Sequence, residues 1–158
     1  RIGHGYDAHR LIKGKGLVLG GTFIKCQYSI VAHSDGDLII HSLIDAILGA
    51  ANYGDIGTLF PSTDKKLKGI SSRKLLREVV SKLASNNLVL EHVDITFVGE
   101  VPSLSPYIEE IKINLSEDIL LDVRSVSCKA TTTDGLGFEG KNKGVACHAV
   151  VLLSEQSN

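Results

Sequence analysis

The chain has 158 residues, and its 17 Lys and Arg nearly cancel its 18 Asp and Glu, giving a formal net charge of −1. This length predicts a single domain over residues 1–158, and the balanced charge provides no overall positive field that would attract nucleic acid or an anionic membrane. No apolar run reaches the roughly 18 residues that a membrane helix needs. The three cysteines form no C-x-x-C pair, which argues against a disulfide framework and against a thiolate zinc site.

The first predicted elements are β-strands and a buried helix. A short strand is expected over Ile2–Tyr6, and Gly20-Gly21 between Leu17–Leu19 and Thr22–Cys26 is a two-residue hairpin signal. The segment Asp37–Ala51 is apolar almost all round, which predicts a buried helix. Two residues that precede it are available as caps: Ser34 and Asp35.

The rest of the chain alternates between helices and strands. Leucines and valines at helical spacing predict an amphipathic helix over Ser72–Asn86, and alternation predicts a strand over Leu90–Val101. Ser105 and Pro106 begin a predicted helix that ends near Leu115. Val123–Thr131 and Val145–Leu153 are predicted to form a closing strand pair. This order predicts an α+β domain with a mixed sheet, helices on one sheet face, and the other face free for a partner.

The buried helix carries a polar stripe that suggests a metal site. Asp37, His41 and Asp45 recur at i, i+4 and i+8 and therefore share one helix face. Asp7 and His9 are at i and i+2 of a strand and point the same way. Two imidazoles and one carboxylate, from His41, His9 and Asp7, suit Zn²⁺ with one open position, and Asp45 or a backbone carbonyl would orient a ring. The alternative is a core histidine held between two carboxylates.

Two further segments are candidate parts of a functional site, and the first of them carries groups that can contact phosphate. The segment 129–141 combines threonine hydroxyls, an acid and a Gly-rich loop with a lysine, groups that can bind phosphate or a hard cation. Its glycines match dinucleotide and P-loop patterns, but no helix is predicted after them, so both motifs are excluded. The segment 54–64 is polar and rich in turn residues. A threonine-rich strand and a capped loop are the alternatives for these two segments.

Four segments together, GHGYDAHR, AHSDGD with the following His41, GDIG-x-LFP and KATTTDGLGF, resemble the 2-C-methyl-D-erythritol 2,4-cyclodiphosphate synthase family of the non-mevalonate isoprenoid pathway. They agree with it in order and spacing over the whole chain. The resemblance implies conversion of 4-diphosphocytidyl-2-C-methyl-D-erythritol 2-phosphate into the cyclic diphosphate and CMP. In that reaction, the 2-phosphate of the substrate attacks its β-phosphorus, so the enzyme is a phosphorus-oxygen lyase.

The resemblance also implies the metal ions and the catalytic residues. Zn²⁺ on Asp7, His9 and His41 would take a β-phosphate oxygen, and Mg²⁺ or Mn²⁺ near Asp134 would bridge the α- and β-phosphates. Two residues would stabilise the transition state: His33 and Thr132.

The remaining implied site residues bind the substrate. The segment 99–105 corresponds to the cytosine pocket, 131–134 to the diphosphate site, and the others to the 2-phosphate, erythritol and ribose. The full implied substrate-binding set is Asp7, His9, His33, Ser34, Asp55, Ile56, Gly57, Phe60, Asp64, Gly99, Glu100, Val101, Pro102, Ser103, Leu104, Ser105, Thr131, Thr132, Thr133, Asp134, Phe138 and Lys141.

The resemblance implies a homotrimer in which each active site combines the zinc side of one subunit with the cytidine side of its neighbour. Five positions depart from the usual family pattern. Asp134 replaces Glu, Ser62 replaces an acid, and Ser103 replaces Lys. Lys141 and His148 stand where an Arg and a Glu often line the central cavity of the trimer, so that cavity is not expected to hold an isoprenoid diphosphate in the usual way.

The chain contains no Met and has twelve Lys against five Arg, which favours a plastid-type organelle if the source is eukaryotic, and bacterial cytoplasm otherwise. One competing function is a zinc-dependent phosphohydrolase in which a metal-bound water attacks. Another is a small trimeric nucleotide-binding module without turnover.

Overall fold

The computed structural model describes residues 1–156 of the chain. Within that range the strands are β1 (Ile2–Lys13), β2 (Gly16–Leu19), β3 (Thr22–Lys25), β4 (Tyr28–Ile30), β5 (Leu88–Val98), β6 (Val126–Thr131) and β7 (Gly144–Glu155). The α-helices are α1 (Leu38–Ala51), α2 (Ile56–Leu59), α3 (Ser72–Ala84), α4 (Ile108–Ile119) and α5 (Gly137–Gly140). Short 3-10 turns lie at Lys65–Leu67, Ser105–Tyr107 and Val123–Ser125.

Five strands form one mixed sheet in the order β4-β1-β7-β5-β6. Only β5 and β6 run parallel, whereas the other neighbours in this sheet are antiparallel. β2 and β3 form a separate hairpin. The α-helices α1, α3 and α4 pack against one face of the five-stranded sheet, and the opposite face exposes Ile2, Tyr6, Val150 and Leu152. The predicted α+β class, with a mixed sheet and helices on one face, is confirmed.

Two glycines let α1 lie directly on β1. A Cβ at Gly3 would stand 1.9 Å from the carbonyl oxygen of Ala46, and a Cβ at Gly5 would stand 1.8 Å from that of Ser42. Any side chain at either glycine would therefore force the helix away from the strand. This close approach brings the first turns of α1 over the middle of β1.

The helix α1 is capped differently from the sequence prediction. Its N-cap is Asp37, whose carboxylate accepts hydrogen bonds from the backbone N–H of Ile40 at 3.1 Å and from those of Gly20-Gly21 at 2.9 and 2.7 Å. The predicted caps Ser34 and Asp35 were wrong. Asp37 is fully buried, and it ties the predicted hairpin turn, which is confirmed with positive φ at both glycines, to the start of the helix.

The first strand and the last two strands differ from the sequence prediction in length and in pairing. β1 continues through Lys13 instead of ending near Tyr6, because it pairs with β7 and then with β4, a strand that the sequence did not predict. The predicted closing pair is wrong, since β6 lies parallel to β5 and has no ladder with β7. β6 also starts later, because Asp122 accepts from the backbone N–H of Arg124 and closes a 3-10 turn there.

The predicted helix from Ser105 is divided into two parts. Ser105–Tyr107 is a 3-10 turn, in which the N–H of Tyr107 bonds to the carbonyl of Leu104 at 2.8 Å. The α-helix proper begins at Ile108 and continues beyond the expected end to Ile119. Residues 99–104 are therefore loop and lead directly into this turn.

Candidate active site

Three predicted metal ligands meet where β1 passes under α1. Asp7 Oδ2 lies 3.0 Å from His9 Nε2 and 3.2 Å from His41 Nδ1. Asp7 and His9 share a face of β1, and His41 comes from the first turn of α1. One ligand atom from each residue lies within 4.8 Å of the others. The two residues of β1 and the residue of α1 therefore converge as the sequence predicts.

This cluster fits a divalent metal ion. The Nε2 atom of His9 is buried and forms no hydrogen bond to any described residue. A buried polar atom without a partner is costly, and coordination to a metal would satisfy it. Burial raises the pKa of Asp7, but the adjacent imidazoles of His41 and His9 outweigh this and lower it to about 2. The carboxylate is therefore ionised and available as a ligand.

The three residues of the predicted polar stripe, Asp37, His41 and Asp45, have different roles in the fold. Asp37 caps the helix, whereas Asp45 accepts a hydrogen bond from the backbone N–H of Ile56 at 2.7 Å and holds the start of α2. The expected orientation of an imidazole by Asp45 is therefore not observed. Two serine hydroxyls contact His41 Nε2 instead, Ser72 at 2.9 Å and Ser34 at 3.1 Å. The sequence did not single out Ser72.

A cavity of about 370 Å³ opens beside the metal cluster. Of the predicted site residues, seven line it: His9, His33, Ser34, His41, Ile56, Gly57 and Phe60. Ser62, which departs from the family pattern, also lies on its wall. The Nε2 atom of His33 lies 3.2 Å from the backbone carbonyl oxygen of Asp64, so the loop after α2 helps to place this imidazole at the cavity.

Two predicted acids nearby cap local turns. The Asp55 carboxylate accepts from the backbone N–H of Thr58 at 2.7 Å at the start of α2, and this hydrogen bond lowers the pKa of Asp55. Asp64 accepts from the backbone N–H of Lys66 at 2.9 Å and starts the following 3-10 turn. Neither residue lines the cavity beside the metal cluster, although both belong to the loop that forms part of its wall.

A second cavity, of about 220 Å³, lies at the carboxyl ends of β5 and β6. These strands are parallel neighbours, so their following loops emerge at the same sheet edge, and the N–H of Gly99 bonds to the carbonyl of Thr131 at 3.0 Å. The lining brings together the predicted cytosine and diphosphate segments: Gly99, Glu100, Pro102, Ser103, Leu104, Ser105, Ala130, Thr131 and Thr132.

Several predicted residues stand outside these two cavities. Val101 lines a neighbouring groove, and Phe138 lines another groove that also contacts His9. Thr133 Oγ1 donates to the carbonyl of Leu136 at 2.5 Å and so closes the loop after β6. Two exposed residues on either side of the short helix α5 point to solvent: Asp134, with φ 56°, and Lys141.

The two cavities share no lining residue among the described part of the chain. The metal cluster belongs to β1 and α1, whereas the threonine loop belongs to the far edge of the sheet, with β7 between β1 and β5. The fold of one chain therefore presents two separate cavities, one beside the candidate metal cluster and one lined by hydroxyls and backbone groups.

Comparison with known proteins decides the family. The sequence profile of the YgbB family matches residues 1–154. The chain belongs to this family. A YgbB relative from Geobacter metallireducens, named 2-C-methyl-D-erythritol 2,4-cyclodiphosphate synthase, is 46% identical over 156 residues, which cover 99% of this chain and 99% of the relative. The resemblance drawn from the four sequence segments is confirmed.

Solved structures show the same fold. The bifunctional IspDF of Campylobacter jejuni matches with a TM-score of 0.94 and 38% identity, covering 99% of this chain and 42% of that one. This chain therefore spans less than half of that longer protein. The IspF of Plasmodium falciparum in complex with CDP matches with a TM-score of 0.87 and 36% identity, covering 99% of this chain and 97% of that one.

No helix among residues 1–156 has the length and apolar character needed to cross a membrane. Curated YgbB relatives such as the one from Geobacter metallireducens are bacterial, and they give no support to the plastid that Lys bias and missing Met suggested.

Proposed function

We propose that this chain converts 4-diphosphocytidyl-2-C-methyl-D-erythritol 2-phosphate into 2-C-methyl-D-erythritol 2,4-cyclodiphosphate and CMP. An oxygen of the 2-phosphate forms a bond to the β-phosphorus, and the bond from that phosphorus to the bridging oxygen of CMP breaks. CMP leaves as an oxyanion, so the step consumes no water and needs no external proton. The observation that carries the proposal is the Asp7, His9 and His41 cluster opening on a cavity beside His33 and Ser34.

In the metal half of the site, the ion would be held by Asp7, His9 and His41, whose donor atoms suit Zn²⁺. A bound zinc ion supplies Lewis-acid stabilisation for charge on a phosphate oxygen. In this half, His33 lies on the cavity wall with its ring placed by the carbonyl of Asp64, and it would bind the 2-phosphate and stabilise the transition state. Ser34 would bind the same phosphate. Ile56, Gly57 and Phe60 would enclose the erythritol chain.

The nucleotide half would be formed by the cavity at the ends of β5 and β6. Backbone groups of 99–105 would bind cytosine, and the hydroxyls of Thr131 and Thr132 would bind the diphosphate. Asp134 would help to hold Mg²⁺ or Mn²⁺, which would neutralise charge on the diphosphate. CDP in the Plasmodium falciparum relative supports a cytidine nucleotide as the ligand of this half.

A homotrimer would join the two halves. The uncovered sheet face, with Ile2, Tyr6, Val150 and Leu152 exposed, provides an apolar surface for packing against further copies of the chain. A cyclic arrangement would place the metal half of one subunit beside the nucleotide half of the next. This assembly is favoured by the absence of any lining residue common to the two described cavities.

One assay tests the reaction against both alternatives. The purified, metal-loaded protein is incubated with the cytidyl substrate, and the products are identified by mass spectrometry and phosphorus NMR. We expect equal amounts of CMP and cyclic diphosphate. Water-derived oxygen in a linear phosphate product would indicate a phosphohydrolase, and binding without any product would indicate a nucleotide-binding module. Either result contradicts the proposal. A chelator-treated sample is the control and should form no product.

A further inference from the structure

The imidazole of His41 contacts different groups through its two nitrogens. Nδ1 lies 3.2 Å from Asp7 Oδ2, on the side of the metal cluster. Nε2 lies 2.9 Å from the hydroxyl oxygen of Ser72 and 3.1 Å from that of Ser34. A neutral imidazole carries one hydrogen, so its tautomer decides which nitrogen has a free lone pair for a metal ion.

The hydrogen of the Ser72 hydroxyl is already donated elsewhere. Ser72 Oγ donates to Asp35 Oδ1 at 2.5 Å, and the backbone N–H of Ser72 donates to Asp35 Oδ2 at 2.9 Å. A hydroxyl has a single hydrogen, so Ser72 Oγ can only accept from the imidazole. Nε2 of His41 must then carry the hydrogen, and Nδ1 keeps its lone pair toward the metal cluster.

The groups that determine this tautomer are themselves fixed. Ser72 is fully buried at the first position of α3, so water does not compete for its hydroxyl. Asp35 is anchored through its own backbone, whose N–H bonds to the carbonyl of Ile70 at 3.2 Å, and it also accepts from the N–H of Asp37 at 3.2 Å. The hydrogen-bond chain Asp35–Ser72–His41 is therefore rigid from its carboxylate to its imidazole.

We propose that Ser72 and Asp35 are positioning residues for the metal ligand His41. Asp35 orients the Ser72 hydroxyl, Ser72 holds the Nε2 hydrogen, and Nδ1 is presented as the ligand atom. Histidine ligands commonly depend on such a partner for the second ring nitrogen. The inference rests on the metal site of the proposed function and extends it to two residues outside the predicted site.

The test measures the affinity of the metal-stripped full chain for Zn²⁺ by competition with a chromogenic chelator. Ser72→Ala is expected to weaken binding by about 10- to 100-fold. The matched control is Ser71→Ala, because the neighbouring Ser71 makes no side-chain capping hydrogen bond, and its affinity should stay within about twofold of wild type. Unchanged affinity in a folded Ser72→Ala protein would overturn the proposal.

A second variant addresses the carboxylate without removing its bulk. In Asp35→Asn, the single amide oxygen replaces only one of the two carboxylate oxygens that accept from Ser72, so either the N–H or the O–H of Ser72 loses its acceptor. Ser72 is then held less firmly against His41 Nε2, and we expect weaker zinc binding here too. If the residues act as a chain, the double variant Asp35→Asn/Ser72→Ala should bind zinc no more weakly than Ser72→Ala alone. Additive losses of zinc affinity would show that Asp35 and Ser72 act independently, which contradicts the proposed hydrogen-bond chain.

Spectroscopy separates positioning from a general loss of folding. Co²⁺ replaces Zn²⁺, and its visible spectrum reports the geometry of the ligands. We expect a changed spectrum in Ser72→Ala and Asp35→Asn and an unchanged one in Ser71→Ala, with unfolding of the stripped proteins followed in parallel. A wild-type spectrum in both test variants would contradict the proposal. Because no substrate is present, that failure would leave the proposed synthase reaction standing, whereas missing product from wild type would contradict only the reaction.

Discussion

The two halves of the proposed active site differ in how completely one chain builds them. In the metal half, Asp7, His9 and His41 are held between a strand and a helix, and each ring nitrogen of His41 has a polar atom beside it, Asp7 Oδ2 at 3.2 Å from Nδ1 and Ser72 Oγ at 2.9 Å from Nε2. In the nucleotide half, Thr132 and Asp134 lie exposed on a loop, where the backbone N–H of Asp134 makes a long contact of 3.5 Å with Thr132 Oγ1. The first half is organised before any ligand arrives, whereas the second is open.

This difference follows from what each half has to bind. A metal ion needs donor atoms at fixed distances and angles, so its ligands must come from rigid elements that are packed together. A diphosphate carries many acceptor oxygens and can be bound by hydroxyls and N–H groups on a loop. The glycines at 135 and 137, both with positive φ, allow that loop to turn sharply before α5.

The largest effect is expected from removing a metal ligand. His41→Ala should weaken zinc binding by more than about a hundredfold, since even partners of ligands contribute up to that factor, and turnover should be lost with it. Metal content after dialysis and CMP release are the measurements. His92→Ala, at an exposed position of β5 that lines neither cavity, is the control. One tightly held zinc per chain in His41→Ala would show that the ligand set is wrong.

A substitution in the scaffold under the metal half should lower the free energy of unfolding more than a substitution in the loop of the nucleotide half. Asp37→Ala leaves three backbone N–H groups without their acceptor, and we expect a loss of about 3 kcal/mol in the free energy of unfolding. Thr133→Ala removes one exposed hydrogen bond, and less than about 1 kcal/mol should be lost. Urea denaturation of the stripped proteins measures both. Equal losses in the free energy of unfolding would show that the two halves do not differ in this way.

The sequence predicted the metal half better because that half depends on short-range periodicity. The i, i+2 spacing of Asp7 and His9 and the helical position of His41 are local features, and the fold brings them together. The parallel pairing of β5 with β6 depends on a crossover through α4, which no local pattern specifies. Ser72 was predicted only as the first residue of a helix, and its contact with His41 joins positions 31 residues apart.

The next prediction concerns the second cation. Asp134→Asn keeps the shape of the side chain, and Asn tolerates the left-handed conformation that Asp134 adopts, so the loop should be preserved. Loss of the charge should lower turnover about tenfold at limiting Mg²⁺ or Mn²⁺, with partial recovery at high concentration. Zinc content should not change. The dependence of CMP release on magnesium concentration is measured, and an unaltered curve would show that Asp134 is only a turn residue.

The last prediction asks whether two chains supply one site. Asp7→Ala should inactivate the metal half of a chain, and Thr132→Ala should inactivate the nucleotide half, so neither variant alone should turn over substrate. If the halves of each site come from neighbouring subunits, random mixing of equal amounts gives both intact halves at about a quarter of the sites, because each half is intact with a probability of about one half.

The two variants are therefore unfolded together, refolded and assayed for CMP release, with mass spectrometry used to verify mixed trimers. About a quarter of wild-type activity is expected. A mixture of Asp7→Ala with His41→Ala is the control, because both changes lie in the same half and no combination of these chains contains an intact metal cluster. Mixed trimers without activity in the test mixture would place both halves of each site within one subunit, and the separation of the two cavities would then have to be closed by movement of the loop after β6.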